Sequence, residues 1–220
     1  MNGRAGGAAA AAEPPPDCPR CPRLAAFRHA NRALFPDFFN APVPSFGPAD
    51  ARLLIVGLAP GLRGANRTGR PFTGDYAGDL LYATLLRHGL ARGHYDRRPD
   101  DGLQLVDCRI TNAVRCVPPE NKPVGAEVAN CRPFLTATMA EMPNLRAVLV
   151  LGSLAHGATL AALGLRKSAC KFGHGAVHEL PDGRTLVGSY HCSRYNTNTG
   201  RLTEAMFDAV FVKLRPILDG

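Results

Sequence analysis

The chain has 220 residues, 45% of them apolar, enough for one domain with a full core and too many for a disordered chain. Its formal net charge is +8 and its isoelectric point about 9.4, which suits a polyanionic partner or plain solubility equally well. No apolar run reaches the length of a membrane span, and the opening MNGRAGGAAAAAE lacks the hydrophobic stretch of a secretory signal, so a soluble intracellular protein is expected.

Residues 1–17 are rich in Ala, Gly and Pro and end in Pro14-Pro15-Pro16, which predicts a disordered leader ahead of a single domain over 18–220. Leu24, Phe27, Leu34 and Phe35 predict a short amphipathic helix over 23–35. The run ARLLIVGLAPG, bounded by Asp50 and then by Gly and Pro, predicts a buried parallel strand. A polar loop, LRGANRTGRPFTGD, leads into a helix over about 76–88 with Leu80, Leu81, Thr84 and Leu85 on one face. Further strands are expected over 105–113, at RAVLVLGS, near 176–180 and over 185–190. Helices are expected over 125–141, 154–163 and 202–214. This alternation predicts a three-layer α/β domain with a mostly parallel central sheet. Ligands of such sheets sit beyond the carboxyl ends of the strands, where the loops after Val56, Ala113 and Tyr190 emerge.

Three segments carry residue types suited to chemistry. The loop from Gly57 to Asp75, GLAPGLRGANRTGRPFTGD, has the glycines that let a backbone approach a ligand and lies just before a helix start. It matches neither a Walker A loop nor a dinucleotide fingerprint. Within it, Phe72 offers a flat face and Asp75 a carboxylate, though the pair reads more simply as a core residue and the N-cap of the next helix. The cysteines form the second segment. Cys18 and Cys21 make a C-x2-C pair and Cys116 and Cys131 a distant second pair, a set able to hold zinc or a [4Fe–4S] cluster. Cys108, Cys170 and Cys192 read as small buried or surface residues. In the third, SYHCSRYNTNTGRLT, His191 leaves a strand end among Ser193, Asn196 and Arg201, residue types that take phosphates.

Together with RCVPPENKP, these segments resemble the type-5 branch of the uracil-DNA glycosylase superfamily, in order from Cys18 to the last helix. The resemblance implies a four-stranded, mostly parallel sheet between helices and a [4Fe–4S] cluster on Cys18, Cys21, Cys116 and Cys131. It implies a monofunctional enzyme of base excision repair that turns uracil, and other deaminated bases such as hypoxanthine or xanthine, out of DNA and hydrolyses the N-glycosidic bond. Its catalytic residues by this resemblance are Asp75, Asn121 and His191. The type-4 branch has Glu where this chain has Leu58, and in type 5 the later Asp takes over. Base contacts are implied for Gly57, Leu58, Ala59, Gly61, Phe72 and Asn112. DNA contacts are implied for Arg67, Ser193, Arg194, Tyr195, Asn196 and Arg201.

Two departures stand out. Asn112 occupies a position where some type-5 members have a small apolar residue, and an Asn there reads the uracil edge in related branches. Cys192 and Tyr195 fall where the wider superfamily often has Pro after the His. On this reading DNA is the partner and a monomer the default. The rival readings are a non-enzymatic Fe–S or zinc DNA-binding protein and an Fe–S redox enzyme. The second lacks the C-x3-C-x2-C run of common radical enzymes and the spacing of a ferredoxin.

Overall fold

The first apolar run is hydrophobic on both of its faces, and both are covered. The computed structural model describes residues 11–220. In chain order the elements are α1 (Pro22–Leu34), β1 (Leu53–Gly57), α2 (Ala65–Thr68), α3 (Tyr76–Arg87), β2 (Ala91–Arg92), β3 (Gln104–Leu105), β4 (Cys108–Asn112), α4 (Gly125–Ala140), β5 (Ala147–Leu151), α5 (Ser153–Ala162), β6 (Val177–Glu179), β7 (Thr185–Ser189), α6 (Arg194–Asn198) and α7 (Glu204–Asp219). Strands β4, β1, β5 and β7 run parallel in that order, and β6 joins the edge of β7 antiparallel. Register brings Gly57 level with Asn112 and Leu151 level with Ser189, so these strands end along one edge.

Alternation along the strands builds the layers. Leu53, Ile55, Leu149, Leu151 and Val187 pack with Ala77, Leu81 and Leu85 of α3 and with Phe207 and Phe211 of α7. Leu54, Val56, Val148, Val150 and Leu186 pack on the other side with Leu135 and Met139 of α4 and Ala158 and Leu160 of α5. Each fully buried Leu or Ile contributes about 1.5–3 kcal/mol, so the sheet is where the fold is held. Among the described residues no helix is long and apolar enough to cross a membrane.

Three expectations need correction. The sheet has five strands rather than four, because the chain turns at Pro181-Asp182-Gly183 (Gly183 φ +83°) and lays β6 against β7. The strand expected over 105–113 is broken at Asp107, whose backbone is left-handed (φ +53°) and whose carboxylate accepts from Arg52 N at 2.8 Å and Nε at 2.6 Å. Of the expected disordered leader, residues 1–10 lie outside the described residues. Within the remainder, Ala12 is buried and the Glu13 carboxylate accepts from the fully buried Arg115 at 2.6 Å, while Pro15, Pro16 and Asp17 are exposed.

Candidate active site

The loop after β1 and the start of α3 place a carboxylate where water is scarce. Asp75 stands at the N-cap position of α3, yet its side chain makes no capping hydrogen bond. Its Oδ1 is buried without a partner. A Cβ at Gly64 would overlap the carboxylate, and one at Gly61 would lie 3.1 Å from Oδ2, so the glycines of this loop make room for Asp75. Burial pushes the Asp75 carboxyl above the ordinary range, opposed in part by the nearby amides of Gly78 and Ala77.

That shift has a consequence for stability. A carboxyl with a raised pKa holds its proton more tightly in the folded chain than in the unfolded one. Its favourable contribution is full below the ordinary Asp range and is lost as pH rises through the raised value. Asp75→Asn cannot ionise, so it is expected to raise Tm at neutral pH, by about 2–4 °C for each kcal/mol relieved. Thermal unfolding at pH 4 and pH 8 checks this. A variant less stable than the parent at pH 8 would contradict it.

Lining the same cleft as Asp75 are a flat ring, an amide and an imidazole. Phe72 is 7% exposed, adopts φ +52°, and stacks on the His191 ring at 5.9 Å between centroids. Asn112, 3% exposed, ends β4 beside it. Gly57 is the reason they meet: a Cβ there would overlap Asn112 Oδ1 and sit 2.7 Å from Phe72 Cζ. His191 follows β7, and burial lowers its pKa, which keeps the ring neutral at pH 7. The cleft has a volume of about 560 Å³ and collects Leu58, Ala59, Gly61, Phe72, Asp75, Asn112, Asn121, His191, Ser193 and Arg194 from the three predicted loops. Asn121 is exposed on the rim and left-handed (φ +57°), as is its neighbour Glu120.

The other predicted DNA-contacting residues lie around this cleft. Asn196 and Arg201 line an adjoining depression that shares Leu58 and His191 with the cleft. Asn196 Nδ2 donates to the His191 carbonyl at 2.8 Å, and the Arg201 guanidinium lies 4.8 Å from the Tyr190 ring centroid. Ser193 caps α6, a short helix within what the sequence predicts as a loop. Tyr195 is 72% exposed on α6 and Arg67 is exposed on α2, and neither lines the cleft. Cys192 is fully buried beneath the loop.

The four paired cysteines come together at a second place. Cys18, Cys21, Cys116 and Cys131 all line one small cavity with Arg28 and Asn130, backed by Leu24, Val114 and Phe134. All four are free thiols. Arg28 Nη1 donates to Cys116 Sγ at 3.5 Å and the Arg115 amide to Cys131 Sγ at 3.4 Å, while Arg28 Nε is buried without a partner. Among the described residues no three His, Cys, Asp or Glu side chains converge tightly enough for a single metal ion. The cavity nevertheless gathers two pairs of soft thiol ligands from distant parts of the chain.

Comparison with known proteins gives this geometry a family. The family model described as the uracil DNA glycosylase superfamily matches residues 44–215. The chain belongs to that superfamily. It is 46% identical over 203 residues to a type-5 uracil-DNA glycosylase of Thermus thermophilus, covering 90% of this chain and 92% of the relative. It is 45% identical over 204 residues to a type-5 uracil-DNA glycosylase of Mycobacterium leprae, with 88% of each chain covered. Similarity to a type-4 uracil-DNA glycosylase of Pyrobaculum aerophilum is 35% over 125 residues and covers 56% of each chain.

The superfamily's matched span holds the whole cleft, including wall residues that sequence reasoning passed over: Pro60, Ala65, Gly74, Tyr76 and Ala77. Tyr76 was the most accessible of these, an aromatic adjacent to the singled-out carboxylate. Its ring lies 5.3 Å from the Arg194 guanidinium and so joins the α3 side of the cleft to α6.

Proposed function

We propose that this superfamily member is a uracil-DNA glycosylase that receives uracil turned out of DNA and hydrolyses its N-glycosidic bond, leaving an abasic site. One observation carries the reading: the Asp75 carboxylate, with Oδ1 buried and unpartnered, shares a cleft of about 560 Å³ with the flat ring of Phe72 and the carboxamide of Asn112. The chain's similarity to type-5 uracil-DNA glycosylases over nearly its whole length supports it.

A base inside a duplex is out of reach, and extruding it costs a few kcal/mol, least at a mismatch. Stacking on Phe72 offsets about 1–3 kcal/mol of that cost. The Asn112 carboxamide, with one donor and one acceptor end, pairs with the edge of the base. Bond cleavage leaves a cationic sugar and an anionic base. Neutral His191 donates to the base oxygen, aided by amides of the Gly61–Leu62 turn. Ionised Asp75 orients the attacking water, accepts its proton and favours the sugar cation. Asn121 completes the catalytic set from the rim. Gly57, Leu58, Ala59 and Gly61 bring backbone against the base. Arg67, Ser193, Arg194, Asn196 and Arg201 take phosphates, and exposed Tyr195 fills the gap left in the duplex.

Hypoxanthine and xanthine fall within the same proposal, since a cleft of about 560 Å³ gives a purine room as well as a pyrimidine. Duplexes carrying uracil or hypoxanthine opposite each normal base, treated with alkali after incubation, test both parts. Cleavage at uracil is the expected result. Cleavage at hypoxanthine as well supports the broad reading, and its absence restricts the pocket to pyrimidines.

We also propose that Cys18, Cys21, Cys116 and Cys131 hold a [4Fe–4S] cluster. The shared cavity and the N–H···S contacts from Arg28 and Arg115 support this. Bound there, the cluster would supply iron–thiolate bonds tying the N-terminal segment to the loop after β4. Purified anaerobically, the parent is expected to contain about four iron and four sulfide per chain and to absorb in the visible. Cys116→Ser should lose most of both. A colourless parent retaining full base release would contradict the proposal.

A further inference from the structure

The segment that carries Phe72 and Asp75 is held from behind by residues that never touch the cleft. Arg70, 4% exposed, donates through both terminal nitrogens to Asp101, at 2.8 Å and 2.7 Å, and through Nε to Thr73 Oγ1 at 2.7 Å. Its guanidinium lies among three rings, 5.2 Å from Phe46, 5.5 Å from Tyr82 and 5.7 Å from Tyr95. Asp101 is in turn fixed by the amides of Asp96 at 2.9 Å and Leu103 at 3.1 Å, so the pair joins the Arg70–Asp75 segment to the 93–103 loop. Tyr82 donates to the Pro71 carbonyl at 2.6 Å and Tyr95 to the Phe72 carbonyl at 3.3 Å.

The Pro71 and Phe72 carbonyls and the Thr73 hydroxyl are therefore each held by a partner with a fixed direction. Phe72 needs this, because its left-handed backbone is one a bulky residue keeps only when its surroundings impose it. Gly78 admits the Phe72 carbonyl against α3, where any Cβ would overlap it. The anchors stay in one state at working pH. Burial pushes the Tyr95 phenol up to about 12, so it remains a donor, and hydrogen bonds from Arg70 hold Asp101 well below the ordinary carboxylate range despite its burial.

We infer that Arg70, Asp101 and Tyr95 are positioning residues, which set the Phe72 ring and, through it, the Asp75 carboxylate for the reaction. This rests on the glycosylase reading of the cleft. A planar fork bound bidentately to Asp101 and enclosed by three rings is not replaceable by the point charge of Lys. Displacing a reacting group by about 1 Å costs on the order of 100-fold in rate.

The test compares the full-length parent with Tyr95→Phe and Arg70→Lys, measuring single-turnover release of uracil at saturating enzyme, Kd for the uracil duplex, and Tm. Tyr95→Phe removes one hydroxyl and keeps the ring, so it is expected to fold as the parent does. Its rate should fall about fivefold, the equivalent of one ordinary hydrogen bond, with Kd changed by less than about twofold. Arg70→Lys should lose about 100-fold in rate, again with little change in Kd, and a lower Tm. A parent-like rate in Tyr95→Phe, together with a rate in Arg70→Lys that tracks only its folded fraction, would overturn the inference while leaving the glycosylase reading in place. A parent that released no uracil would overturn both.

Discussion

Replacing Asp75 by Asn is expected to slow single-turnover release of uracil by about 10²–10⁴-fold, the usual contribution of a positioned general base. Binding of a uracil duplex should stay within a few-fold of the parent. The variant keeps the shape of the side chain and removes its charge, which burial disfavours more than the Gly78 and Ala77 amides favour it; Oδ1 has no partner and no side-chain cap is lost. The pH profile gives a second sign. The raised pKa predicts that the parent's rate falls with acid at a higher pH than an ordinary Asp would impose, because the carboxyl must be ionised to act. That acid limb should vanish in Asp75→Asn. The combination of slower turnover and higher Tm would mark Asp75 as a residue kept in an unfavourable state for function. A parent-like rate would move the catalytic role elsewhere.

The second large effect is expected from a single methyl group. Gly57→Ala places a Cβ at the end of β1, overlapping Asn112 Oδ1 and 2.7 Å from Phe72 Cζ. Both neighbours are packed, being 3% and 7% exposed respectively, and the open side available to Phe72 is the cleft it lines. Overpacking of this kind costs about 1–3 kcal/mol, which a domain of this size tolerates. The functional loss should be larger. The Phe72 ring can relieve the overlap only by moving toward the cleft, and displacement of that order costs about 100-fold in kcat/KM. Steady-state kinetics with thermal unfolding separate the two effects. A variant with reduced Tm and undiminished kcat/KM would show that Phe72 and Asn112 do not form the base pocket.

The parallel core was legible in the sequence because β1 and β5 are apolar on both faces, which only a covered sheet requires. The three loops at its carboxyl edge followed from that, and the structure brings Asp75, Asn121 and His191 to one cleft. What stayed hidden was set by long-range partners. Asp107 breaks its strand through a carboxylate satisfied by Arg52, 55 positions away. Ala12 and Glu13 look like part of a low-complexity leader and are ordered by Arg115, more than a hundred positions on. Arg70 reads as one more basic loop residue until the fold brings Asp101 and three aromatic rings around it. Helix α6 is five residues long, too short to leave a periodic signal.

The central claim is that the Asp75 cleft hydrolyses the bond between uracil and deoxyribose. The most direct measurement incubates excess protein with a duplex containing one labelled uracil, separates free base chromatographically, and examines the strand before and after alkali. The account predicts free uracil in a first-order burst, an intact strand that breaks only with alkali, and neither product with Asp75→Asn on the same timescale. Duplex bound tightly by the parent with no uracil released would contradict it, and would leave a DNA-binding protein in place of an enzyme.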